Sequence, residues 1–164
     1  MTNRISRQAL IAQAIAAAVA LSAVPTAFAA SGHEHAAHAP TLRLNAGAKW
    51  QTDAPLREGM SKIRADVERT LPSVHSGQLT AGQYAALGKA IETQLAYIVG
   101  NCKLAPEADA VLHGVVLSLS EGADILTGKR AADDRTVGVQ QVVAALDNYG
   151  RYFDHPGWTR VAAS

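Results

Sequence analysis

The sequence predicts an all-α protein, an up-down-up-down four-helix bundle behind an export signal. Three observations carry this. Four segments of roughly 20 residues repeat apolar positions at spacings of three and four. Each is bounded by cap and stop residues, and the connections between them are short. No stretch alternates as a half-buried strand would. Helices of that length run about 30 Å, and short connections make consecutive helices antiparallel neighbours.

The chain opens with a signal pattern at residues 1–29. Arg4 and Arg7 form a positive start, residues 9–24 are apolar and uncharged, and Ala27-Phe28-Ala29 is a small-x-small cleavage pattern. An apolar run of about 16 residues falls short of the ~20 a spanning helix needs. The expected location is therefore the bacterial periplasm, with no membrane association after cleavage. Removing residues 1–29 from the 164 leaves 135, a length for one domain. It also removes two of the 15 basic residues and none of the 14 acidic ones, so 13 stand against 14 and the net charge is −1. No basic patch remains to support nucleic-acid binding.

Residues 30–41 read as a histidine-rich arm without apolar periodicity, carrying His33, His35 and His38 and ending near Pro40. Residues 42–160 are the expected bundle and 161–164 a tail. The 41–50 stretch reads as extended or irregular, with Leu42 and Leu44 free to pack on the body.

The first helix follows a cap at Thr52 or Asp53, with Pro55 in its first turn. Leu56, Met60, Ile63, Val67 and Leu71 make one stripe, Glu58 and Lys62 pair on the wet face, and Pro72 is the expected stop. Thr80 and Gln83 form a capping-box pattern before the second helix, whose stripe is Tyr84, Leu87, Ile91, Leu95 and Ile98 and whose end is near Asn101. The third starts at Pro106, buries Ala108, Leu112, Val115, Leu119, Gly122 and Leu126, and closes at Gly128. The fourth runs from about Asp134 to Phe153, with Val139, Val142, Val143, Leu146, Tyr149 and Phe153 inward. Pro156 and Gly157 prevent its continuation.

This connectivity brings the start of helix one, the 102–105 loop, the start of helix three and the end of helix four to one end, the terminal end. Four of the seven aromatic residues beyond position 29 lie at 149–158. Trp50, Cys102, His155 and Trp158 all belong to the terminal end, and Met60 and His113 each lie about 10 Å in from it on diagonal helices. Met, Cys and His are soft or borderline ligands. The expected site is therefore a transition-metal site, copper first, at Met60, Cys102, His113 and His155, walled by Trp50, Tyr152, Phe153 and Trp158. His33, His35 and His38 offer a second metal site on the arm. A non-covalent haem between Met60 and His155 is the alternative; the absence of C-x-x-C-H excludes the covalent c-type.

Each residue also has a plainer role. Met60 fills a core, Cys102 is a small buried hydrophobe, and His113 is half-buried and satisfied. His155 caps a helix end, and the aromatics seal it; the protein is then an interaction module without cofactor. Cys102 is the single cysteine, so it is buried, a ligand, or the bridge of a disulfide dimer. Gly59, Gly100, Gly114 and Gly150 leave room for a flat ligand at the terminal end, although Gly82, Gly88, Gly122 and Gly138 lie toward the other. Enzyme motifs are missing: no G-x-S-x-G, no H-E-x-x-H, no phosphate loop, no paired Glu-x-x-His. A binding protein, not an enzyme, is expected.

Three blocks, LNAGAKWQTDAPLREGMSKIR, NCKLAPEADAVLH and YGRYFDHPGW, resemble a secreted proteobacterial family often labelled DnrO-like, which has no established activity. The resemblance spans about 42–158. It implies that Trp50, Asp53, Arg57, Met60, Cys102, Asp109, His113, Tyr152, His155 and Trp158 are characteristic positions. A looser architectural resemblance is to the periplasmic four-helix b-type cytochrome, which holds haem between a methionine early in helix one and a histidine late in helix four.

Overall fold

In a computed structural model, which describes residues 41–162, four helices follow one another as the apolar stripes require. They are α1 (Ala54–His75), α2 (Ala81–Asn101), α3 (Pro106–Thr127) and α4 (Thr136–Tyr152), flanked by two short strands, β1 (Trp50–Gln51) and β2 (Phe153–Asp154). Contacts run α1 to α2, α2 to α3 and α3 to α4, the order of an up-down-up-down bundle. Every expected stripe residue of α1, α2 and α3 is buried, and no polar or charged residue is buried among the described residues. The signal pattern and the arm histidines His33, His35 and His38 lie outside the described residues.

The caps follow the local chemistry. Asp53 Oδ1 accepts the Leu56 N–H at 2.9 Å, and the Thr80–Gln83 capping box is complete. Gly128 closes α3 at φ 81°, a left-handed conformation that costs glycine little. Pro72 does not stop α1, which continues to His75. A proline three residues from the end removes one helical hydrogen bond, and the chain leaves only at Gly77, φ 66°. α4 starts at Thr136, two residues later than expected, where Asp134 Oδ1 accepts the Thr136 N–H at 2.8 Å.

Glycine sets three of the four helix seams. A Cβ on Gly59 would meet the Ile98 side chain at 2.5 Å, closing α1 on α2. One on Gly88 would meet the Ala123 carbonyl at 2.9 Å, closing α2 on α3. Gly122 and Gly138 face each other's carbonyls across α3 and α4, at 3.0 and 2.9 Å from a built Cβ. These positions are occupied by neighbouring helices. The expected room for a flat ligand is filled at Gly59 by Ile98 and at Gly150 by the Trp158 indole, 2.4 Å from a built Cβ.

The fourth seam differs. α1 and α4 touch sparsely, and residues 158–161 lie along them. Trp158 packs edge-on against Tyr149 at 4.7 Å and under the Arg64 guanidinium at 5.4 Å. Arg64 also reaches the Thr159 carbonyl at 3.3 Å, Arg160 pairs with Asp147, and Val161 is 6% exposed. The bundle domain therefore extends past residue 160. Trp158 lies in this seam and also packs on His155, with ring centroids 5.0 Å apart.

Two further expectations change. Phe153 is fully buried but belongs to β2, one residue beyond α4. Val143 is only half-buried and faces the α1–α4 seam. Leu42 packs against the core, whereas Leu44 is 40% exposed.

Candidate functional site

The terminal end is held by a parallel strand pair that the sequence does not announce. Trp50 stands opposite Phe153 and Gln51 opposite Asp154. A tight turn, with Asn45 and Ala48 exchanging both backbone hydrogen bonds at 2.8 Å, leads the chain into it. Trp50 is 8% exposed, and its indole N–H donates to the Arg43 carbonyl at 2.7 Å. Thr52 Oγ1 donates to the Asp154 carbonyl at 2.6 Å, and Arg57 donates to the Thr52 carbonyl at 2.6 Å.

Asp53 is the hub. One carboxylate oxygen caps α1 through Leu56, and the other accepts the Lys103 N–H at 2.6 Å. The Cys102 thiol donates to the same carboxylate. Burial alone would raise the Asp53 carboxyl; the hydrogen bonds from Lys103, Leu56 and Cys102, with the Arg57 charge, outweigh it and hold the group below its ordinary value. The thiol moves the other way. Burial, then the charge of Asp53 and the hydrogen bond to it, then Asp109, push Cys102 up to about 12. Cys102 is thus a neutral, half-buried thiol at neutral pH. A thiol held protonated in this way is a weak nucleophile at neutral pH.

A second polar chain lies beside the first. Tyr149 is fully buried, stacks on Phe153 at 5.4 Å, and its hydroxyl lies 2.9 Å from His155 Nδ1. This contact gives the buried phenol its hydrogen-bond partner, and the other ring nitrogen, Nε2, lies 3.4 Å from Ser61 Oγ. Burial, then the charges of Arg57 and Arg64, hold His155 below its ordinary value against the opposing charge of Asp154. The sign of the consequence is definite. The folded state disfavours the proton, so the contribution is complete above the unfolded value of about 6.5. It is lost as pH falls through the lower folded value. The urea midpoint should drop between pH 7 and 5, and His155→Gln should flatten that drop; equal slopes for both proteins would refute the assignment.

The four residues expected to share one ion are not brought together. Among the described residues no group of three or more His, Cys, Asp or Glu side chains could hold a metal. His113 projects to solvent, its ring bonded to the Asp109 carbonyl of its own helix at 2.8 Å, in a groove with Ile98, Val99, Leu112 and Val116. One position along a helix turns a side chain by about 100°, and Leu112 is the residue that faces the core. His155 has both ring nitrogens engaged on the other side, and Met60 is 0% exposed in the core. A haem between Met60 and His155 would have to displace packed core. Of the expected walls, Trp50 is in place, Tyr152 is half-buried against the core, Phe153 is fully buried, and Trp158 packs on His155 at 5.0 Å.

What the terminal end does offer is a cleft of about 570 Å³. Trp50, Leu104 and Ala108 give it apolar walls; Asn45, Gln51, Thr52, Lys103 and Glu107 give it a polar rim. Sequence reasoning found Trp50 but missed Asn45, Leu104 and Lys103. The available signal for Lys103 and Leu104 was their place in the 102–105 loop; Asn45, in the turn before β1, carried none.

Comparison with protein-family models, curated proteins and solved structures finds no match.

Proposed function

We propose that the chain is a small periplasmic binding protein, without a cofactor in its bundle and without catalysis, that takes a small amphipathic molecule in the terminal cleft. One observation supports the reading above the others: the cleft's walls are pinned before any ligand arrives. Trp50 is fixed by the strand pair and by Arg43, and the Lys103 backbone by Asp53. Its volume falls in the range of ligand pockets, about 300–1,000 Å³, and apolar walls with a few polar groups suit a flat molecule with polar ends. The three blocks that resemble the DnrO-like family all reach this end, in agreement with the reading.

The test is a thermal-shift screen of small metabolites against the full chain and Leu104→Glu, which places a charge on the cleft wall. Compounds that stabilise the first and not the second support the cleft. Compounds that stabilise both equally put the site elsewhere.

A second reading concerns metal and rests on the arm. His33, His35 and His38, with Glu34, give three imidazoles and a carboxylate within six residues, a tract of the kind that binds copper. Copper binding by calorimetry should vanish on deletion of 31–40 and survive the His113→Ala/His155→Ala double change. The reverse pattern would restore a bundle site.

A further inference from the structure

His155 is half-buried between α1, α4 and the 158–161 segment, one residue beyond β2. From α4 the Tyr149 hydroxyl lies 2.9 Å from Nδ1, and from α1 the Ser61 hydroxyl lies 3.4 Å from Nε2. Trp158, uncharged, packs on the ring at 5.0 Å. The charges that bear on it are Arg57 and Arg64 of α1, which oppose a positive ring, and Asp154 of β2, which favours one. A neutral imidazole carries one donor and one acceptor, and in either tautomer it can match both hydroxyls. A protonated ring has two donors and no acceptor. The hydroxyl that donated to it then loses its acceptor, and the new charge meets two guanidiniums.

The residue before His155 holds the cleft. The Asp154 carbonyl accepts the Thr52 hydroxyl at 2.6 Å, and the Asp154 carboxylate accepts from Gln51 Nε2 at 3.4 Å. Gln51 and Thr52 both line the cleft. Arg57, one of the two guanidiniums that act on the ring, also holds Thr52, donating to its carbonyl at 2.6 Å and to its Oγ1 at 3.1 Å. We propose that His155 is a proton-operated latch on the terminal cleft: on taking up a proton the ring leaves Tyr149 and Ser61, draws Asp154 away from Thr52 and Gln51, and loosens the cleft's polar rim. Phe153, fully buried, stays anchored, so the movement is confined to Asp154 and the residues after it. A pair of two-residue strands is marginal on its own and resists little. The latch rests on the reading of the cleft as a ligand site, and it makes that site one that holds its ligand at neutral pH and releases it in acid. Burial and the two arginines, against Asp154, hold the clasped ring below its ordinary value. The open state therefore binds the proton more tightly, and acid favours it. By reciprocity, whatever holds the rim closed lowers the ring's proton affinity.

The test is an NMR titration of the full chain, without ligand, between about pH 7 and 5. It follows the His155 ring and the backbone order parameters of Gln51, Thr52 and Asp154. The order parameters are expected to fall along a curve with the midpoint of the ring, and to stay level in His155→Gln. Thr52→Val removes the hydroxyl that Asp154 accepts and keeps the side chain's shape. It should raise the proton affinity of His155 at least twofold, about 0.3 of a pH unit. It carries the test by itself if His155→Gln loses helix content. Order parameters that stay level in the full chain while the ring titrates overturn the latch. So does an equal fall in His155→Gln, which assigns the loosening to another group, and so does a His155 midpoint unmoved by Thr52→Val. Each of these results leaves the cleft standing as a ligand site whose affinity does not follow pH. A thermal-shift screen that puts the ligand elsewhere removes the cleft reading and leaves the titration of the rim unchanged.

Discussion

Replacing Asp53 by alanine should destabilise the protein by about 2.5–4 kcal/mol, adding the loss of an N-cap, ~1 kcal/mol, to that of a charge-assisted hydrogen bond, ~1.5–3 kcal/mol. The carboxylate accepts from Leu56 at the head of α1 and from Lys103 in the α2–α3 loop, so one change frees two elements. Asp53→Asn should recover the cap, about 1 kcal/mol, because asparagine caps as well as aspartate. It should not recover the charged contact. Urea denaturation at pH 7 measures both. A cost below about 1 kcal/mol for Asp53→Ala would mean that water replaces the Lys103 contact without loss. The carboxyl is held below its ordinary value, so its contribution is present above the unfolded value of about 3.9 and lost as pH falls through the folded one. The variant should lack that part of the acid limb. It should also label faster at Cys102 with iodoacetamide, since the thiol loses both its acceptor and the neighbouring negative charge that help to keep it protonated.

Gly122→Ala sets two effects against each other. Helix propensity favours alanine by up to about 1 kcal/mol. Packing opposes it: the new Cβ would meet Val142 Cγ2 at 2.7 Å, the Gly138 carbonyl at 3.0 Å and the Val142 nitrogen at 3.3 Å. Two of those three are backbone atoms and cannot rotate away. Overpacking of this kind costs about 1–3 kcal/mol, so Gly122→Ala should lower Tm, and Gly122→Val should lower it further. Gly138→Ala presses the same contact from the other side, and the double change should fall short of or exceed the sum of the singles, as touching sites do. Gly100→Ala is the control: its Cβ would meet nothing within 4 Å, and Tm should rise or stay. A rise in Tm for Gly122→Ala would show that α3 and α4 separate at little cost.

The bundle was legible because its signals are local. Stripes at spacings of three and four, the Thr80–Gln83 box and Gly128 each depend on residues within one turn of one another. The strand pair was not legible. Two residues carry no period, and Trp50 meets Phe153 across a hundred positions of chain. The site was half legible. Connectivity placed Cys102, Trp50 and His155 at one end correctly. Nearness along the bundle axis is not nearness around it: His113 points outward beside buried Leu112, and Met60 is fully buried in the core. Trp158 carried a signal that could have been read. An aromatic and Val161, three apart after a proline–glycine turn, are the mark of a chain folding back onto an apolar seam.

The parallel pair of β1 and β2 also decides how the molecule meets force. The chain runs into β1 from one direction and out of β2 in the other. A pull on residues 49 and 155 therefore slides the strands past each other along their length. The bonds between Trp50–Gln51 and Phe153–Asp154, with Thr52 on the Asp154 carbonyl, share that load together and do not peel in turn. Helices on their own extend at low tension. Here the resistance to stretching sits in a few residues outside them, and rupture of that clasp becomes the step that sets the unfolding rate under load.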